Sequence, residues 1–78
     1  MNVEAIETDI STLLRPAVEA LGYELVELRI LNEQGRWVIR LMADREGGIT
    51  LAECASLSRE VATHLEVEDL FPYRYNLE

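Results

Sequence analysis

The sequence is short of several features, and each shortage excludes a class of protein. Cys54 is the one cysteine among 78 residues, so no internal disulfide can form. No apolar run approaches the roughly 20 residues that cross a membrane as a helix. The first basic residue is Arg15, which leaves no basic segment of the kind that opens a secretion signal. We therefore expect a cytoplasmic protein without a membrane span.

Lysine is missing altogether. All seven basic residues are arginine, and 15 residues are acidic, which gives a net charge of -8. An acidic surface repels phosphate, so unaided, nonspecific binding to nucleic acid is disfavoured. We expect protein partners rather than bare RNA.

Apolar residues are plentiful, at 49% of the chain, and they recur with helix and strand periods. That fraction is too high for a disordered segment. A chain of this length buries only roughly 60% of the surface that it exposes when unfolded. The prediction is one small domain over residues 1–78.

The first predicted element is a helix over residues 6–21, with Gly22 placed for a left-handed C-terminal cap. Pro16 falls inside it and predicts a kink rather than a break, because the apolar stripe continues on both sides. The apolar residues of the stripe are Ile6, Ile10, Leu13, Leu14, Ala17, Val18 and Leu21.

From residue 23 to residue 43 the pattern changes to alternation, which predicts two antiparallel strands joined by a four-residue loop at 32–35. Pairing around this loop places Glu27 opposite Arg40 on the outer face. The residues predicted to face the core are Val26, Leu28, Ile30, Trp37, Ile39, Leu41 and Ala43. The outer face keeps Leu25, Val38 and Met42, either as scattered surface residues or as a seat for a second domain or partner.

A second helix opens at Thr50, which forms a capping box with Glu53. Its predicted buried stripe contains Leu51, Cys54, Ser58, Val61 and Leu65, so Cys54 is expected to be buried. A third strand is predicted to begin near residue 73, and the chain ends inside it, as expected of a fragment of a longer protein. The predicted fold is α+β: a two-layer α-β-β-α-β domain with two helices packed on one face of a small three-stranded sheet.

Residue types used in catalysis are present, but their spacing argues against an enzyme. Ser58, His64 and Asp69 are the residue types of a catalytic triad. Ser58 and His64, however, are six residues apart on one helix, roughly 120° from facing each other. Cys54 and His64 lack the paired spacing of zinc ligands. The pair Gly47–Gly48 predicts a tight strand-to-helix turn rather than a phosphate cradle. We predict no catalytic residue, no cofactor and no metal.

Three stretches of the sequence are more specific than its periodicity. They are LRPAVEALGYEL at residues 14–25, ADREGGITLAEC at 43–54 followed by Ser58-Arg59, and YNLE at 75–78. Together they resemble the N-terminal domain of the RimP family of bacterial ribosome maturation factors. The resemblance implies an α-β-β-α-β domain followed by an Sm-like or SH3-like barrel that this chain lacks. It implies a non-enzymatic role in maturation of the small ribosomal subunit and its rRNA, in the cytoplasm. The Gly-x-x-Gly loop of KH-type RNA binders is absent.

The leading hypothesis is a ribosome assembly domain whose partners are the precursor of the small subunit, with its proteins and rRNA, and the barrel of the full-length protein. The predicted partner-binding residues are Asp44, Arg45 and Glu46, in the strand-to-helix connection, and Arg59 on the second helix. The alternative is a small acidic module that inhibits one basic protein or mimics nucleic acid. A hydrolase using Ser58 is nearly excluded by the spacing.

Overall fold

The computed structural model describes all residues, Met1–Glu78, and confirms the predicted α+β fold. The elements are α1 (Val3–Ala20), β1 (Glu24–Glu33), β2 (Arg36–Asp44), α2 (Leu51–Glu68) and β3 (Tyr75–Leu77). The sheet has the order β1-β2-β3, with β1 antiparallel and β3 parallel to β2. The third strand therefore begins two residues later than its weak alternation predicted.

Helix α1 ends at the predicted glycine cap. Gly22 has a φ of 89°, in the left-handed region, and its N–H donates to the carbonyl of Glu19 at 2.9 Å. The N–H of Tyr23 reaches back to the carbonyl of Val18 at 3.2 Å, which completes a Schellman motif. The helix is continuous through Pro16. This cap turns the chain directly into β1.

The hairpin turn is shorter than predicted. Glu33 pairs with Arg36, so the loop contains two residues, Gln34 and Gly35, and not four. Both have positive φ, 54° and 83°, which is the backbone of a type I′ turn and matches the twist of the flanking strands. The Asn32 side chain also accepts a hydrogen bond from the N–H of Gly35 at 3.0 Å. The predicted register was wrong by two residues.

A bulge at Val26 overturns one face assignment. Leu25 pairs with Ala43, whereas Glu27 pairs with Met42, so β1 has one extra residue between them. Leu25 therefore points into the core and is buried, while Val26 is 53% exposed. The alternation alone had assigned these two residues to the opposite sides.

The outer face carries a charge cluster that differs from the predicted pair. Arg40 lies opposite Arg29, not Glu27. It forms ion pairs with Glu78 at 2.8 Å and with Glu33 at 3.6 Å. Hydrogen bonding and charge from Glu78 raise the pKa of the Arg40 guanidinium. Val38 lies on this face as predicted, yet it is only 3% exposed.

One apolar core joins both helices to a single face of the sheet. In α2 the buried positions follow the spacing i, i+4, i+8 and begin at Leu57, so the first turn of the helix contributes none. Leu51 is 89% exposed, and Cys54 and Ser58 are also exposed, so all three were wrongly placed in the buried stripe. The core residues are Ile10, Leu14, Val18, Leu25, Leu28, Ile30, Ile39, Leu57, Val61, Leu65 and Phe71.

Two leucines of α2 test this packing against the stripe expected from the sequence. Leu57→Ala should lower the free energy of unfolding by about 2–5 kcal/mol, because it removes a buried side chain from the core. Leu51→Ala, the matched control in the same helix, should change it by less than about 0.5 kcal/mol. Urea denaturation measures both. Equal losses would contradict the packing of α2.

The exposure of Cys54 gives a second test. A thiol reagent such as Ellman's should label Cys54 in the native protein without prior unfolding, since the residue is exposed. Labelling that requires unfolding would restore the buried position predicted from the sequence.

Candidate partner-binding site

The connection between β2 and α2 is a turn with a defined shape. The N–H of Gly48 donates to the carbonyl of Arg45 at 3.0 Å, which closes a β-turn. Gly47 occupies its third position with a φ of 88°, as a type II turn requires. The glycine pair therefore serves the predicted tight turn, and Asp44 and Glu46 project from an ordered connection.

Arg45 joins this connection to the first turn of α2 and to the residue that precedes β1. Its guanidinium forms an ion pair with Glu53 in the first turn of α2. It also lies over the ring of Tyr23, 5.1 Å from the ring centroid, and the Tyr23 hydroxyl donates to Glu53 at 3.4 Å. We call these three residues the Arg45 clasp. Because the clasp occupies the arginine, its charge is less available to a partner than those of the exposed residues Asp44 and Glu46.

Glu53 closes the capping box predicted from the sequence. Its carboxylate accepts from the N–H of Thr50 at 3.0 Å, and its own N–H donates to the Thr50 hydroxyl at 3.1 Å. Hydrogen bonding from Thr50, and to a smaller extent the charge of Arg45, holds the pKa of the Glu53 carboxyl below its ordinary value. The ionised carboxylate also suits the positive end of the helix.

The fourth predicted residue, Arg59, stands apart from the connection. It is exposed in the middle of α2, and no ion pair or side-chain hydrogen bond joins it to residues 44–46. The structure therefore places three of the four predicted residues, Asp44, Arg45 and Glu46, side by side in the connection. It leaves Arg59 outside this group.

The residues considered for chemistry do not form a site. His64 lies 4.0 Å from Glu60, one helical turn away, and no hydrogen bond links it to Ser58. Asp69 is the left-handed C-cap of α2. No group of three or more histidine, cysteine, aspartate or glutamate side chains is placed to hold a metal ion.

A second polar site lies where the hairpin turn meets the chain entering β3. It is an open cleft of about 640 Å³, which we call the arginine cleft. Its principal lining residues are Arg36, Trp37, Glu66, Arg74, Tyr75 and Asn76. Burial, with Glu66 and Asp69 nearby, raises the pKa of the Tyr75 hydroxyl, which favours its protonated, hydrogen-bonding form. The sequence pattern missed this site, because only the parallel pairing of β3 brings residues 74–76 beside 36–37.

Neither helix is long and apolar enough to span a bilayer. A scan against protein-family models matches residues 13–78 to the RimP N-terminal domain. The chain belongs to that family. The match extends the resemblance found in three stretches of sequence to most of this chain. RimP proteins are ribosome maturation factors. The match includes the strand-to-helix connection, Arg59 and the arginine cleft of this RimP domain.

The lowered pKa of Glu53 predicts how pH affects the stability of the RimP domain. Since the folded pKa is depressed, the stabilisation is complete above the ordinary value of 4.5 and is lost as the pH falls through the lowered value. Glu53→Gln keeps an acceptor for Thr50 but has no charge to titrate. The Tm difference between the two proteins should be largest near neutral pH and shrink below pH 4.5. A difference that stays constant down to pH 3 would show that ionisation of Glu53 is not responsible.

Proposed function

We propose that this domain binds the small ribosomal subunit during its maturation in the cytoplasm and catalyses no reaction. Family membership supplies the ribosomal context, and the observation that carries the surface assignment is the ordered connection at residues 44–46. Its two acidic side chains, Asp44 and Glu46, are exposed on a turn that the Arg45 clasp holds in place. A rigid turn loses little conformational entropy on binding.

Charge supports a ribosomal protein as the partner of this connection. The chain carries a net charge of -8, and ribosomal proteins are commonly basic, so opposite charges would speed association. We assign Asp44 and Glu46 the direct contacts and Arg45 the role of holding the turn in position. Arg59 is a further contact on the exposed side of α2. In the full-length protein the family's barrel would contribute contacts of its own.

Charge reversal at the connection tests this assignment. In the full-length protein, Asp44→Lys combined with Glu46→Lys should weaken co-sedimentation with precursor small subunits by about tenfold, because the attraction becomes repulsion. The control is Glu19→Lys with Glu68→Lys, which makes the same charge change at the exposed last turns of α1 and α2. Lysine is favourable at those positions, so the control should fold and bind normally.

Melting curves of both variants should match that of the unmodified protein. Normal co-sedimentation of the folded Asp44/Glu46 variant, or an equal loss in the control, would contradict the assignment. Binding to one free basic protein without any co-sedimentation with precursor subunits would instead favour the alternative, an acidic inhibitor or nucleic-acid mimic.

A further inference from the structure

The seven arginines of this acidic domain are not used in the same way. Three form ion pairs, and Arg15 donates to a backbone carbonyl of β1. The remaining three, Arg36, Arg59 and Arg74, form no ion pair, although acidic residues outnumber basic ones by two to one. Two of these three, Arg36 and Arg74, line the arginine cleft. The cleft therefore brings together two arginines that have no ion-pair partner, beside the single carboxylate of Glu66.

Aromatic rings form the wall beside these arginines. Trp37 and Tyr75 line the cleft. Tyr73 stacks on Trp37 with a centroid distance of 5.7 Å and an interplanar angle of 4°. The buried Phe71 contacts Trp37 edge-on at 5.4 Å and Tyr75 at 5.9 Å. The wall is thus held in place by packing, and a ligand need not order it.

We propose that the arginine cleft binds a short single-stranded segment of RNA. Arg36 and Arg74 would contact phosphate oxygens, and a nucleobase would stack on the aromatic wall of Trp37 and Tyr75. Glu66, the carboxylate of the cleft, accepts hydrogen bonds only, so it selects a ligand that also has donors. Every ribonucleotide has such a donor in its 2′-hydroxyl.

An acidic peptide is the competing ligand. Its carboxylates would match the two arginines, but an aspartate or glutamate side chain has no ring to stack on Trp37. The net charge of the domain does not exclude RNA, because charges beyond about 8 Å are largely screened at physiological salt. The electrostatic contribution to RNA binding therefore comes mainly from the nearby arginines, Arg36 and Arg74. This inference rests on the proposed function and gives the domain an RNA contact separate from its acidic connection.

Trp37 is the one tryptophan of the chain and reports directly on the cleft. Titration with hexauridylate should change the fluorescence of Trp37 until the signal saturates. In Arg36→Gln combined with Arg74→Gln, affinity should fall by about tenfold, and the slope of log affinity against log salt should flatten by about 1.4, or about 0.7 per lost phosphate contact. The control, Arg15→Gln with Arg29→Gln, removes the same charge elsewhere and should retain both affinity and slope.

Two substitutions at Tyr73 distinguish the contribution of its ring from that of its hydroxyl. Tyr73→Phe keeps the ring that supports Trp37 and should bind hexauridylate normally. Tyr73→Ala leaves Trp37 unsupported and should weaken binding by about fivefold or more. Tyr73 is 53% exposed, so both variants should fold, and circular dichroism melting curves check this.

Three results would overturn the inference: no binding of hexauridylate at low salt, an equal loss in the arginine control, or displacement by hexaglutamate at equal concentration. Co-sedimentation keeps this inference apart from the proposed function. A full-length Arg36/Arg74 variant that fails to bind hexauridylate yet sediments normally with precursor subunits would remove the cleft from ribosome binding and leave the proposed function standing. A domain that binds hexauridylate through the cleft but never co-sediments would refute the proposed function alone.

Discussion

The register of the β1–β2 hairpin determines the position of nearly everything else in this domain. The two-residue turn at Gln34–Gly35 pairs Glu33 with Arg36, and the rest of the hairpin follows from that pair. It places Ile39 in the centre of the core, where its side chain is fully buried between helices and sheet. It also places Arg36 at the rim where β3 enters the sheet. The turn therefore positions both the packed face and the arginine cleft.

The Arg45 clasp shows how a charged residue in a loop can be part of the scaffold. In the sequence Arg45 resembles its neighbours Asp44 and Glu46, since all three are charged and lie where β2 leads into α2. The contacts separate them, because the arginine has an aromatic ring and a carboxylate as partners and the acids remain exposed. In the proposed site, recognition is assigned to Asp44 and Glu46, and Arg45 supports the turn.

Charge is distributed locally in a way that the net value conceals. A chain of net charge -8 is a poor general binder of nucleic acid. Yet two arginines without ion pairs share one cleft with an aromatic wall, while the acidic connection lies at the other end of β2. This separation is consistent with the two contacts proposed above, with a basic protein at the connection and with RNA at the cleft.

The sequence by itself determined the element order, the glycine cap of α1, the capping box of α2 and the faces of the central strand residues, because these follow from neighbours in the chain. Alternation has a period of two, so a register wrong by two residues still put Leu28 and Ile39 on the correct face. The register was decided by the two-residue turn, whose length the alternation of the strands does not specify. Only the tertiary structure decided the bulge at Val26, the exposure of Cys54 and the closeness of Arg36 to Arg74. Each of these depends on which elements pack together, and a local pattern does not contain that information.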